Sequence, residues 1–351
     1  MHYPATPSGA PDGASDPRPT SPQGRALRIV LPGGTGQVGA LLARHWRAAG
    51  HTVVVLSRSG GGGTTPWDGR TLGPWAESID GADVVVNLAG RTVNCRYTEE
   101  NLRQMMDSRV DSTRVVGEAI ARAQRPPAVW LQMSTATIYA HRFDAPNDEE
   151  TGRIGGDEPD VPAYWARSIA IARAWEAALD AAPTPRTRRV ALRTAMVMSP
   201  DSGGVFDVLR RLCRLGLGGT LGGGRQFVSW IHGADFASAL DFLIARNDLS
   251  GAVNLAAPGP LPQAEHMRTL RRALGVPVGL PATAWMARAG AVVLRTDAEL
   301  VLKSRYVVPG RLLAAGFRFR FPTWAEAAAD LANGASDGVP RSGHGARTTE
   351  R

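Results

Sequence analysis

The chain has 351 residues, 43% of them hydrophobic, enough to bury one large core or two smaller ones. No apolar run reaches the roughly 20 residues that span a bilayer, and Met1 is not followed by a basic segment leading into an apolar core. Neither membrane insertion nor secretion is therefore expected, and the cytoplasm is the default location. The net charge of +8 comes almost entirely from dispersed arginines with no nucleic-acid-binding motif beside them, which argues against a DNA or RNA partner.

In chain order, residues 1–25 are rich in Pro, Gly, Ser and Asp and read as a solvated tail, as do residues 333–351 at the other end. Arg28 to Leu31 reads as a short buried strand; Val38, Leu41, Leu42 and Trp46 then recur at helical spacing until Gly50 closes the helix. Thr52 to Leu56, β-branched and apolar, is a second strand and completes a βαβ unit. Gly60 to Gly63 is a loop, and Asp83 to Leu88 is a third strand. A helix over Thr98 to Arg122 leads to a strand at Val129 to Met133. Helix Trp165 to Leu179 and strands Val190 to Met196 and Val253 to Ala256 follow. Continuous apolar strands separated by helices imply an α/β, Rossmann-like doubly wound parallel sheet covered on both faces.

The nucleotide-binding domain is expected over residues 26–199, with 234–256 returning to the sheet. Residues 200–233, Gly-rich and loop-like, and 257–332, mostly helical, would form a smaller lobe over the carboxyl ends of the strands, where such a fold places its ligand. Two arginine clusters, Arg186 to Arg193 and Arg210 to Arg214, read as a solvated face or a contact for an anionic small molecule. Cys95 and Cys213 lack CxxC or histidine spacing, so they read as packed thiols rather than a disulfide or metal site.

Between the first strand and the first helix stands Gly33-Gly34-Thr35-Gly36-Gln37-Val38-Gly39, whose glycines fall as GxxGxxG. The spacing allows a tight turn, close backbone approach to a pyrophosphate, and packing of helix on strand with the helix N-terminus toward the phosphates. At the end of the second strand, Ser57 and Arg58 stand where an NAD-binding chain carries Asp or Glu; an arginine there can pair with a 2′-phosphate, so NADP(H) is favoured over NAD. Asp68 is a candidate for the adenine amine or for a turn. Leu88, Ala89 and Gly90, closing the third strand, are counted with the cofactor-binding residues.

These residues resemble the extended short-chain dehydrogenase/reductases, the NAD-dependent epimerase/dehydratase superfamily, over roughly residues 27–330. LPGGTGQVG, VVVNLAG, DSRVDSTR, GGGRQFVSWIHGAD and KSRYVVPGRLLAAGFRFRFPTWAEA resemble one epimerase-like subfamily with a C-terminal domain of unknown function. The resemblance implies a Tyr acid/base, a Lys four residues later that stabilises the phenolate and holds the nicotinamide ribose, and a Ser or Thr that orients the substrate oxygen. Thr135 matches the Ser/Thr place, with the alternative that it satisfies a strand end; Ser134 is its neighbour, and Tyr139 falls where many members carry a Tyr beside the substrate. Tyr164 opens the next helix, but the lysine place is Ser168, or Ala172 in a second alignment. Arg167 is the candidate substitute for the lysine charge, or an ordinary surface residue. The chain holds a single lysine, Lys303, which belongs to the C-terminal motif and stands apart from every helix position where the lysine is expected. Arg96, Arg225 and His232 are candidates for the substrate pocket, His232 also reading as a packing residue and Asp235 as a helix N-cap.

The expected function is an NADP-dependent oxidoreductase or isomerase acting on a small hydroxy- or carbonyl-containing metabolite, with the usual Tyr-Lys pair missing. The alternatives are a non-catalytic NADP-binding regulator, or a lyase, cyclase or isomerase without net hydride transfer. A homodimer is compatible with the resemblance, and no metal is expected.

Overall fold

A computed structural model describes residues 25–159, 161–293 and 297–334, so the two expected tails fall almost wholly outside the described residues. The chain begins β1 (Arg28–Pro32), α1 (Gln37–Ala48), β2 (Thr52–Ser57), β3 (Thr65–Pro66), β4 (Val84–Asn87), α2 (Glu99–Arg122) and β5 (Val129–Thr135). It continues through α3 (Ala166–Asp180), β6 (Arg188–Thr194), β7 (Met196–Met198), α4 (Val205–Arg214), β8 (Phe227–Val228), β9 (Trp230–His232), α5 (Gly233–Ala245) and β10 (Gly251–Leu255). The last elements are β11 (Leu261–Pro262), α6 (Gln263–Ala273), α7 (Ala284–Val293), α8 (Glu299–Leu302), α9 (Gly310–Ala314) and α10 (Trp324–Gly334). Among the described residues no helix is long and apolar enough to cross a membrane.

Seven strands form one sheet in the order β10-β6-β5-β4-β1-β2-β3, every pair parallel. Successive side chains in a strand point to opposite faces, so a strand buried on both faces must be apolar throughout. Ile29 and Leu31 accordingly pack with Leu42 and Trp46 of α1 and Phe236 and Leu240 of α5. Val30, Val85 and Trp130 face the other way, against Val115, Val116 and Ile120 of α2. The Rossmann-like doubly wound architecture expected from the sequence is the one observed.

A second core forms where Phe206 and Cys213 of α4 meet Trp230, Leu270 of α6 and Trp324 and Leu331 of α10. Cys213 is thus a packed thiol, whereas Cys95 is only half-buried. Residues 200–233 are not the loop expected. α4 forms within them because Asp207, itself buried, pairs with Arg210 and Arg211 one turn on, leaving Phe206 and Cys213 to face the core. The strand expected to reach Met196 also ends early: β6 stops at Thr194, and β7 pairs with β9 outside the main sheet.

The arginines from Arg186 to Arg193 reach acceptors within the chain, Arg186 from an exposed position. Arg186 donates to the Ala123 carbonyl beyond α2, Arg189 to the carbonyls of Leu179 and Ala182 at the end of α3, and Arg188 to the Leu243 carbonyl in the last turn of α5. Three helices thereby have their orphan carbonyls and negative dipole ends met by guanidinium groups from one edge of β6.

His266 on α6 is buried and stacks on Trp324, ring centroids 4.1 Å apart, and burial lowers its pKa to about 3. The folded protein therefore keeps this imidazole neutral where the unfolded chain, at about 6.5, takes up a proton. Stability from this site is present above about pH 6.5 and is lost as pH falls toward 3, by at most about 1.4 kcal/mol per pH unit. Urea melts of His266→Gln between pH 7 and pH 4 are expected to show a shallower acid dependence than the wild type; parallel dependences would show that His266 does not titrate on unfolding.

Candidate functional site

β1 and β4 are neighbours in the sheet, but the chain leaves β1 toward β2 on one side and β4 toward β5 on the other. A crevice opens at such a switch point, outside the carboxyl ends of the strands. Two loops line it. Gly33 adopts φ +73°, donates its N–H to the Leu56 carbonyl at 3.0 Å, and approaches the β4 loop so closely that a Cβ on it would lie 2.7 Å from the Ala89 Cα. A Cβ on Gly39 would lie 2.3 Å from the Gly34 carbonyl oxygen, so glycine there lets α1 start directly on the loop.

Gly36, the N-cap of α1, is exposed, with nothing within 4 Å of where its Cβ would be and no side chain to cap the first turn. Backbone amides and the positive end of a twelve-residue helix thus face an open cradle, the arrangement that accepts a phosphate. Thr35 is exposed on its rim, Val38 is half-buried against the sheet core, and Gln37 donates from Nε2 to Ser199 Oγ at 2.8 Å, tying the loop to the residue that follows β7. Across the crevice Leu88 donates its N–H to the Pro32 carbonyl, and Ala89 donates to Asn87 Oδ1 at 3.1 Å. Asn87 is fully buried and also donates to Gln132 at 3.0 Å. It shapes the β4 exit, a role the sequence reading missed.

At the end of β2, Ser57 is buried with its hydroxyl 3.1 Å from Ser59 Oγ, and Arg58 is exposed. Arg58 lines a groove of about 510 Å³ with Trp67, Asp68, Thr71 and Trp75. Asp68 takes the turn alternative: it accepts from the Arg70 and Thr71 amides at 2.9 Å each and from the Thr71 hydroxyl at 2.5 Å, bonds that lower its carboxyl to about 2.

The catalytic candidates fare differently. Ser134 and Tyr139 were expected beside the substrate, yet both side chains are buried in an internal network. Ser134 donates to Glu176 of α3 at 2.6 Å, and Glu176 pairs with Arg193 of β6 at 2.7 Å. Arg193 donates to the Tyr139 phenol at 3.0 Å, and the phenol donates to Asn254 of β10 at 2.9 Å. The sheet register forces this, because Ser134 of β5 lies directly opposite Arg193 of β6. Burial pushes the Tyr139 phenol up despite Arg193, the opposite of what a base requires.

Thr135 is half-buried and accepts from the Thr137 amide at 3.2 Å, its strand-end alternative, with its hydroxyl proton directed elsewhere. Tyr164 is 38% exposed just before α3, and partial burial raises its pKa. Arg167 does not take over the lysine's part: it is exposed and ion-paired with Glu99 of α2. Arg96 is exposed in the loop before α2, and exposed Arg225 stacks over Phe143 at 5.8 Å. His232 packs against Phe321 at 4.0 Å, accepts the Ala234 amide at 3.1 Å and so caps α5; its Nε2 lies 3.2 Å from Asp330, and burial lowers its pKa. Asp235, read as the cap, instead accepts the Arg320 and Phe321 amides at 2.7 and 2.9 Å.

The largest correction concerns Lys303. This residue comes in from the C-terminal segment, fully buried, and its ammonium donates to the Thr137 carbonyl at 2.9 Å, just beyond β5. Glu299, one turn earlier, accepts from Ser168 at 2.6 Å, so the helix place where a lysine is expected is held by a carboxylate from the same segment. The second Glu299 oxygen lies 3.9 Å from the Lys303 ammonium and accepts no hydrogen bond among the described residues. Burial lowers Lys303 to about 8 and raises Glu299, against the pull of Arg305, Ser168 and Lys303. Arg305, half-buried, donates from Nε to Thr137 Oγ1 at 3.0 Å. Contacts spanning 131 and 166 residues leave no local signal in the sequence.

Comparison with known proteins agrees with this architecture. A profile of the NAD dependent epimerase/dehydratase family matches residues 29–256. The chain belongs to this family. A domain of unknown function (DUF1731) matches residues 282–331, the segment that carries Glu299, Lys303 and Arg305. The epimerase family protein SDR39U1 of Homo sapiens is 32% identical over 84% of this chain and 96% of its own length. An epimerase family protein of Mycobacterium tuberculosis is 32% identical over 85% and 95%. The crystal structure of human SDR39U1 (isoform 2) with NADPH matches with a TM-score of 0.77 at 32% identity, covering 88% of this chain and 99% of that one. Within this epimerase/dehydratase chain, then, the C-terminal segment reaches the strand ends where the family fold forms its crevice.

Tyr139→Phe tests whether this phenol is structural. The substitution strips a donor from buried Asn254 and an acceptor from half-buried Arg193, and is expected to cost about 1 to 3 kcal/mol in denaturant melts. Dinucleotide affinity in calorimetry is expected to stay within twofold of wild type; a large loss of affinity with unchanged stability would return Tyr139 to the ligand site.

Proposed function

We propose that the protein binds NADP(H) and works as a reductase or isomerase on a small carbonyl- or hydroxyl-bearing metabolite. The observation that carries this reading is the open glycine cradle at the N-terminus of α1, next to a groove whose exposed cation, Arg58, ends β2 with no carboxylate in its place. The NADPH in the crystal structure of human SDR39U1, a relative at 32% identity, supports it.

In this reading Gly33, Thr35, Gly36, Gln37, Val38 and Gly39 hold the pyrophosphate, Ser57 and Arg58 the 2′-phosphate, Asp68 the edge of the adenine groove, and Leu88, Ala89 and Gly90 the opposite wall. The nicotinamide, when bound, supplies a hydride donor or acceptor. The remaining chemistry belongs to the chain. Thr135 turns its hydroxyl proton toward the substrate oxygen. Tyr164, at the entry to α3, is the proton donor to the substrate oxygen in this reading; partial burial raises its pKa, which keeps the phenol protonated and makes it a weaker acid, so the transfer depends on the charge that develops on that oxygen.

A second reading, cofactor binding without turnover, draws on Ser168: its bond to Glu299 places a carboxylate where the family's chemistry uses an ammonium. Single-turnover assays with a panel of aldehydes and ketones separate the two readings, since tight NADPH binding with no oxidation of NADPH favours the second.

Calorimetric titration of NADPH, NADP, NADH and NAD tests the assignment of the cradle and groove. NADPH is expected to bind at least tenfold more tightly than NADH, and Arg58→Ala to remove most of that preference, a change of about 1.4 kcal/mol or more. Equal or tighter binding of NADH by the wild type would refute the role of Arg58, and failure of all four to bind would refute the cofactor.

A further inference from the structure

Arg109 on α2 is a buried cation without an anion. Its side chain sits in a residue only 9% exposed, and no carboxylate lies within ion-pair distance of it among the described residues. One nitrogen, Nη1, donates to the Met105 carbonyl at 3.0 Å, and the guanidinium plane rests over the Trp175 ring at 4.9 Å. The titratable groups that act on it are a phenol, Tyr97, and a thiol, Cys95, rather than an acid, and burial lowers its pKa to about 10. An isolated buried charge is costly, and proteins normally answer it with a partner.

The placement of Arg109 indicates what the partner is. The guanidinium lies against Gly90, at the exit of β4 and hence at the switch-point crevice: a Cβ on Gly90 would stand 3.3 Å from the Arg109 Cζ and 3.5 Å from its Nε. Glycine at that position lets the β4 exit pack closely on the Arg109 side chain, and no hydrogen bond from its Nε or Nη2 is found among the described residues. With Nη1 committed to Met105, the Nε–Nη2 edge remains, the geometry that takes two oxygens of a carboxylate or phosphate side by side. Stacking on Trp175 fixes the plane in advance, so little freedom is lost on binding. The other arginines at this end of the sheet are already engaged, Arg91 with Gln104 and Asn101 and Arg167 with Glu99.

We propose that Arg109 is an oxyanion-binding residue of the crevice, taking a carboxylate or phosphate group in a bidentate pair beneath Gly90. The oxyanion comes either from the substrate, which would then be an acidic metabolite, or from the dinucleotide; the latter case rests on the cofactor reading above. A residue that serves a ligand at the expense of the empty fold has a stability signature: replacing it with an apolar chain of similar length leaves the fold as stable or more so.

The experiment compares wild type with Arg109→Met and Arg109→Gln by thermal melts and calorimetry, with inorganic phosphate and malonate as probes, each with and without saturating NADPH. The ligand-free variants are expected to melt no lower than wild type, and probe affinity to fall at least tenfold. If the probe stabilises NADPH-saturated wild type and not the variants, the substrate is the source of the oxyanion. If it stabilises only NADPH-free wild type and the variants bind NADPH at least tenfold more weakly, the source is the cofactor. Wild type that responds to neither probe in either state overturns the proposal, as do variants that keep both the probe response and NADPH affinity. Should NADPH fail to bind wild type, the cofactor reading falls while the NADPH-free arm still decides Arg109. Should Arg109→Met not fold, its instability counts against the proposal unless Arg109→Gln folds and loses the probe response.

Discussion

The contact between the C-terminal segment and the exit of β5 governs the β5 end of the crevice. Lys303 reaches the Thr137 carbonyl, Glu299 holds Ser168, and Arg305 bonds the Thr137 hydroxyl, with Lys303 and Glu299 buried and Arg305 half-buried. Charges buried to this degree are tolerated only where each has its partners, so removing any one strands the others. The segment therefore cannot lift from the sheet without exposing Ser168 and Thr137 and breaking a set of linked bonds. It is a wall of the crevice, built by the domain of unknown function, rather than an appendage to a complete nucleotide-binding domain.

That wall divides the crevice into two ends of different character. At the β1 end the chain withdraws its own side chains: Gly36 is open, and Gly33 and Gly39 draw backbone close to backbone. At the β5 end the side chains that might have met a substrate bond one another instead, Ser134 with Glu176 and Tyr139 with Arg193 and Asn254. Backbone amides around glycine form a site for any phosphate that enters, whereas hydroxyls and carboxylates in a low-dielectric interior find internal partners unless a ligand holds them apart. The architecture thus leaves the cradle end open while the β5 end is closed by the chain's own side chains.

The same division explains what could be read from the sequence. The strands were legible because both faces of β1, β4 and β5 are buried and must be continuously apolar, and the cradle because its glycines stand between a strand and a helix. α4 was hidden by the glycines on both sides of it, and by the need to see Asp207 as the partner of Arg210 and Arg211. The arginines from Arg186 to Arg189 read as a surface because the carbonyls they cap belong to three other helices. Lys303 could be counted but not located: local spacing describes neighbours on one element, and its partner lies 166 residues away. Nor did motif spacing show that the register of β5 on β6 brings Arg193 to Ser134 and draws Tyr139 inward.

The two buried cations of the crevice make the final distinction. Lys303 and Arg109 are both withdrawn from water, and burial lowers the pKa of each. Lys303 has a carbonyl at 2.9 Å and a carboxylate oxygen at 3.9 Å, both supplied by the chain itself. Arg109 has one carbonyl, an aromatic face and a glycine. Whereas Lys303 lies near a carboxylate, Arg109 is thus a cation with none beside it among the described residues, packed against Gly90 at the exit of β4. Ligand binding at that point gains what folding left unsatisfied, which makes the oxyanion class a stronger inference about the ligand than any resemblance to the family's reaction.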